Sequence, residues 1–303
     1  MNDLTDPGFK VSFEERRRLS EANLAASRFF RRELLRATNG WPLQYLKSWG
    51  AEEVLSTESE WKIGYAPNTW TSMVDHLRGQ GFGYGTLVGA GLVTWTEDGD
   101  AVDRYRDQLM LVARDQRLSP VGFVGIGPDG QARSLSPVTA IHRPSNVLVG
   151  VEEQLKLLGN GAIPVIVDNP MDAIAISEVS RRSSGQWAGI PVCDSGLSTA
   201  QARMLRRFSA TDKVIVALTG DEARRNQTAG YLLDLAFFFD RVRAVGFPAG
   251  HTPATLVQSV DGPGHLQDVL STARPLMTYR TSASSRIASQ ALDPDPPNAG
   301  PAM

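Results

Sequence analysis

From residue 163 onward the chain alternates between two kinds of segment. IPVIVD (163–168), IPVC (190–193), KVIVAL (213–218) and VRAVGF (242–247) are short apolar runs rich in β-branched residues. Between them lie stretches of helical character: MDAIAISEVSRR (171–182), Thr199 to Phe208, and Asp221 to Phe239. Apolar runs without polar alternation predict strands covered on both faces. Their alternation with helices predicts an open, mostly parallel sheet flanked by helices. In such sheets ligands bind outside the carboxyl ends of the strands. His265 to Leu276 predicts a last helix, and LDPDPPNAGPAM (292–303) predicts a disordered, proline-rich tail.

The upstream half reads differently. Leu19, Leu24, Phe30, Leu34 and Leu35 recur at near-helical spacing, predicting a helix over about 13–37 that Asn39-Gly40 ends. Residues 41–90 read as short helices joined by turns, with Trp70, Met73, Val74 and Leu77 on one face. LMLVA (109–113) and VGFVGI (121–126) read as an antiparallel hairpin, and VLVGV (147–151) as another strand. The glycine-rich GFGYGTLVGAGL (81–92) follows a helix instead of a strand, so turns explain it better than a dinucleotide loop. The expected class is α/β: an α+β subdomain over 12–158, a parallel-sheet domain over 159–258, a helical segment over 259–291 and the tail.

Cysteine usage and charge narrow the chemistry. A single cysteine, Cys193, excludes an internal disulfide and a thiolate zinc site, and fits a reducing cytoplasm. No apolar run is long enough to span a membrane and no secretory leader is evident, so no membrane partner is expected. The net charge of −2 is not that of a protein that coats nucleic acid indiscriminately. Residues 12–47 nevertheless carry eight Lys/Arg against four Glu. That helix either docks by its apolar stripe with a solvated outer face, or faces nucleic acid.

Three acids stand just after expected parallel strands: Asp168, Asp172 and Asp221. Strand ends in one sheet lie together, and clustered carboxylates suit a hard cation such as magnesium, which can serve phosphoryl transfer. Asp172 and Asp221 could equally be helix caps.

VIVDNPMDAIAI (165–176) and VIVALTGDEAR (214–224) resemble the two signature strands of the Toprim domain in bacterial DnaG-type primases. PLQYLKSWG (42–50), WKIGYAPNTW (61–70), DRYRDQLMLVARD (103–115) with VGFVGI, and ARSLSPVTAIHR (132–143) resemble segments of that family's catalytic core, in its order. The departures are specific. The first-motif Glu is Asp168 and its Gly is Asn169. The first Asp of the Asp-x-Asp pair is Thr219, leaving Asp221, and His251-Thr252-Pro253-Ala254 has no acid where the family has acids. Gln108 replaces an Arg, and Arg133 and Arg143 stand for lysines.

The resemblance implies a core that joins nucleoside triphosphates into short RNA primers on single-stranded DNA. Asp168, Asp172 and Asp221 would hold magnesium or manganese, with no zinc, and Arg104, Arg106, Arg114, Arg133, His142 and Arg143 would guide template and triphosphates. Tyr105 or Trp95 would stack a base, unless Tyr105 is core. The reading expects a core without the family's zinc-binding and helicase-binding modules, so the implied partners include a replicative helicase or a separate zinc-module protein, and the implied setting is a mobile element or phage. The incomplete acids imply a slow enzyme or none. The alternatives are a degenerate nucleic-acid-binding accessory of a replication complex and a Toprim-type metal-dependent nuclease.

Overall fold

The computed structural model describes residues 11–134, 136–193, 196–220, 228, 230–248 and 250–276. The chain begins with α1 (Phe13–Arg36). Ser12 caps it by accepting the Glu15 N–H, and its buried face runs through Leu19, Ala22, Ala26, Phe29, Phe30 and Leu34. Leu35, expected on the apolar stripe, is exposed. Phe30 meets Tyr105 and Phe123 edge-on at centroid distances of 6.2 and 5.4 Å. Truncating such a ring costs about 3–5 kcal/mol.

Short elements follow: α2 (Trp41–Ser48), β1 (Gly64–Ala66), α3 (Ser72–Gly79) and α4 (Tyr84–Gly89). The strand β1 was not expected. It exists because Gly64 lets the backbone press against α1; a Cβ there would meet Phe30 at 2.5 Å. The hairpin β2 (Val93–Trp95) and β3 (Ala101–Asp103) precedes β4 (Gln108–Arg114), β5 (Pro120–Ile126), β6 (Ala132–Ser134) and β7 (Leu148–Val149). Strands β1, β4, β5 and β6 pair antiparallel in that order, and β7 joins β4. Of the expected 147–151 strand only β7 forms.

The second half contains α5 (Leu155–Gly159), β8 (Ile163–Val167), α6 (Pro170–Arg181), β9 (Trp187–Pro191), α7 (Thr199–Phe208), β10 (Lys213–Leu218), α8 (Leu232–Ala236), β11 (Arg241–Gly246), α9 (Pro253–Val257), α10 (Gly262–Ser271) and β12 (Arg274–Pro275). The sheet order is β12-β11-β10-β8-β9, parallel except for β12. The mostly parallel sheet is therefore as expected.

Three local readings change. Strand β9 begins at Trp187, earlier than the expected Ile190, because Gly189 packs against α6 so closely that a Cβ would sit 2.3 Å from the Ala173 carbonyl oxygen. The expected helix from Asp221 is seen only as α8, and residues 221–227 and 229 lie outside the described residues. The last helix starts at Gly262, and residues 274–275 pair with β11 as a strand. The 292–303 tail lies outside the described residues.

The larger apolar core draws on both sheets, from Leu19 and Phe123 to Val165, Ile215 and Leu266. No helix among the described residues is long and apolar enough to cross a membrane.

Candidate active site and nucleic-acid interface

The acids stand where the parallel strands end. Asp168 follows β8, and Asn169 caps α6 by accepting the Met171 N–H at 2.8 Å. Asp172 sits in the first turn of α6 but is not its side-chain cap. Its Oδ1 accepts the Ala254 N–H at 2.9 Å, at the start of α9, and the Thr252 side chain also bonds to it. Asp172 is 3% exposed. Burial pushes its carboxyl up to about 6, and the Asp168 charge adds to the rise against the opposing bonds from Thr252 and Ala254.

Strand β10 is parallel to β8 with Ile215 opposite Val165 and Val216 opposite Ile166. Continuing that register sets Asp168 level with Leu218, one residue before the buried Thr219. Asp168, Asp172 and Thr219 thus share one sheet edge. Asp221 lies outside the described residues. Among the described residues no group of three or more His, Cys, Asp or Glu gathers as a metal cage.

Tyr45 of α2 connects this edge to the antiparallel half. Burial, then the charge of Asp172, pushes its phenol up to about 12, and its hydroxyl donates to the Gly130 carbonyl at 3.3 Å. Gly130 belongs to the β5–β6 turn, where exposed Arg133 pairs with Asp129 at 2.7 Å.

The other basic residues separate into two sets. Arg114 is buried, donates to the Leu118 carbonyl at 2.8 Å and is ion-paired with Glu152. His142 is 1% exposed, its Nδ1 donates to the Pro137 carbonyl at 3.0 Å, and burial holds its pKa below the ordinary value. Half-buried Arg104 donates to the Val93 carbonyl at 3.3 Å. These three have structural partners in the antiparallel half. Arg106 lies 3.8 Å over the centroid of Trp70, a ring 61% exposed. Exposed Arg143 lines a groove with Arg16 of α1 and Arg203 and Arg207 of α7.

Of the two rings considered for stacking, Tyr105 is core. It is 2% exposed, with its hydroxyl bonded to the Gly91 carbonyl and to Ser136. Trp95 is 51% exposed and lies 5.8 Å from Tyr84, whose other neighbour is the Arg78 guanidinium at 4.4 Å. Tyr84 was not singled out in the sequence. It lies in the glycine-rich stretch read as turns, and only the fold brings it to Trp95. Arg203 and Arg207 of α7 were likewise not singled out; the sequence predicts only the helix that carries them.

Residues 29–154 match the family model of the DNA primase catalytic core, N-terminal domain. The DNA primase of Deinococcus radiodurans is 29% identical over 281 residues, 92% of this chain and 46% of that protein. The DNA primase of Escherichia coli K12 is 25% identical over 89% of this chain and 46% of its own length. The chain thus spans about half the length of these curated relatives. Among solved structures, a DnaG primase catalytic domain bound to single-stranded DNA aligns with a TM-score of 0.74 at 24% identity, covering 90% of this chain and 84% of that one. The RNA polymerase domain of Mycobacterium tuberculosis DnaG aligns with a TM-score of 0.74 at 23% identity, covering 91% of each. By sequence over residues 29–154, and by fold over nine-tenths of its length, the chain is similar to the catalytic core of bacterial DnaG-type primases.

Proposed function

We propose that this chain is a primase-type nucleotidyltransferase core that builds short RNA primers on single-stranded DNA from nucleoside triphosphates. The observation that carries this reading is the position of Tyr45 between the Asp168–Asp172 edge and the β5–β6 hairpin, whose strand β6 carries Arg133. A primase needs acids for metal ions on one side of a cleft and cations for phosphates on the other.

Asp168 and Asp172 suit magnesium or manganese as hard oxygen donors. A divalent cation beside them would relieve the burial and like-charge cost at Asp172. When bound, it would neutralise charge on the reacting triphosphate. Thr219 offers only a neutral oxygen, so the site leans on water and phosphate oxygens to complete coordination, which magnesium tolerates. The reading places the protein in the cytoplasm, with a replicative helicase or a zinc-module protein as partner.

A primer-synthesis assay tests the proposal, with single-stranded template, labelled nucleoside triphosphates, and magnesium or manganese. Wild type yields short extended products, and Asp168→Ala lowers the rate by about 10²-fold or more. Equal yields from both proteins would sink the assignment. Thr219, in place of an acid, favours a second reading as a degenerate nucleic-acid-binding accessory. That reading predicts template binding without extension under either metal. Cleaved template would point instead to a nuclease.

A further inference from the structure

A cavity of about 200 Å³ lies where the segment after α2 faces α6, α9 and α10. Its wall is mostly apolar, with Trp49 on one side and Ile174, Val179, Val257 and Pro263 on the other. Ala175 of α6 also faces it, and its short side chain leaves the space open. The ring of Trp49 is held by Tyr45, with 6.1 Å between the centroids. Enclosed apolar space of about this size takes up small apolar molecules. Two of the walls, α6 and α9, are the elements joined by the bond between Asp172 and the Ala254 N–H.

Two carboxyl groups meet at the edge of this apolar space. Glu178 of α6 and Glu53 of the 3₁₀ turn Glu52–Leu55 are hydrogen-bonded to each other. Two carboxylates in contact repel, so the pair holds a proton between them. Burial, then the bond to Glu53, holds the Glu178 carboxyl above its ordinary value, and the bond from Glu178 holds Glu53 below its own. The proton therefore resides on Glu178 and is donated to Glu53. Arg181 donates to Glu178 Oε1 at 2.8 Å, and Arg182 is ion-paired with Glu53. Among the described residues no further charged group faces the pair: α9 contributes Val257 to the wall, and α10 contributes Pro263 and neutral Gln267.

We infer that this cavity binds a small organic cation with an apolar body, its ammonium or amidinium group taking the place of the proton between Glu53 and Glu178. The cation donates to both carboxylates and the displaced proton passes to solvent, so the local charge is unchanged. The apolar body lies among Trp49, Ile174, Val179 and Pro263, in space that an enclosed apolar pocket with a few convergent polar groups offers a ligand. An anion meets two acids there, and the neighbouring arginines are already engaged. A bare divalent cation meets apolar walls where it needs oxygen donors. The cavity and the carboxyl pair carry this site without the function proposed above.

The test is titration calorimetry of the full chain with benzamidine, beside benzamide as a neutral probe of the same shape, on wild type, Glu178→Gln and Ala175→Leu. Benzamidine is expected to bind wild type saturably, and more tightly as pH rises from about 5 to about 8, because it competes with a proton. Benzamide is expected to bind at least about tenfold more weakly. Glu178→Gln should lose about tenfold in benzamidine affinity, together with the pH dependence. Ala175→Leu fills the space and abolishes binding. Circular dichroism melting checks folding, and if Ala175→Leu does not fold, Glu178→Gln and benzamide decide the matter. No saturable heat with wild type would overturn the site. Equal affinity for the two probes, wild-type affinity in either folded variant, or an affinity independent of pH would overturn it as well. Primer synthesis by wild type is a separate readout, so the site and the proposed function fail independently.

Discussion

Asp103 and Asp172 are buried to the same degree, 3% exposed each, and burial pushes both carboxyls up to about 6. Their surroundings differ. Asp103 ends β3 and accepts the N–H groups of Met73 and Val74 at 3.0 and 2.8 Å, one on each oxygen. It supplies the N-terminal cap of α3 from another element and satisfies donors that the helix itself cannot. Asp172 accepts Ala254 at the start of α9, but a second carboxylate, Asp168, adds its charge nearby. Two acids at one buried edge oppose each other unless a cation joins them. Equal burial thus holds architecture together at Asp103, whereas at Asp172 it accompanies a like charge, as the proposed metal site requires.

Substitutions at four positions would break or sharpen this contrast. The largest effect belongs to Asp172→Asn, which keeps the shape and an acceptor for Ala254 while removing the charge. Primer synthesis should fall about 10²-fold or more, with the melting curve still cooperative; an unchanged rate would make Asp172 a second Asp103. Arg114→Ala comes next. It strips Glu152 of its partner and removes a cation near Glu153, whose carboxyl burial already pushes up to about 7. Denaturant unfolding should show a loss of about 3 kcal/mol. If Arg114 were instead a strand contact, the salt slope of DNA binding would change and stability would not.

Asp103→Ala should cost about 1–3 kcal/mol through the two N–H groups it strands on α3, with normal primer synthesis per folded molecule. Asp103 also carries a pH signature. Its folded carboxyl, at about 6, lies above the ordinary value of 3.8. The stability it contributes is therefore fully present below about 4 and is lost as pH rises through about 6. Melting temperatures recorded between pH 4.5 and 7.5 should show a shallower loss toward pH 7.5 in Asp103→Asn than in wild type. The smallest effect is Arg133→Ala. Its pair with Asp129 is exposed, so the stability change should stay within about 1 kcal/mol by the same unfolding measurement.

The parallel sheet was legible because its strands are unbroken apolar runs and the sequence has little else to do with them. Strand β9 was misplaced at its start because Trp187-Ala188-Gly189 lacks β-branched residues and owes its strand to contact with α6. Strands β1 and β12 are too short to carry a period, and only their pairing defines them. At the site, alternation alone put Asp168 and Asp172 at a strand end. Which arginines face solvent was not legible. Arg114 and Arg203 look alike in a sequence, and tertiary packing buries the first against Glu152 and leaves the second exposed.

The central claim is that the β8 edge binds a divalent cation through Asp168 and Asp172. Titration calorimetry of manganese in the presence of a nucleoside triphosphate tests it directly, on wild type and on Asp168→Ala/Asp172→Asn. The account predicts a protein-dependent binding heat in wild type that disappears in the double variant. The same heat in both proteins, or none in either, would contradict it.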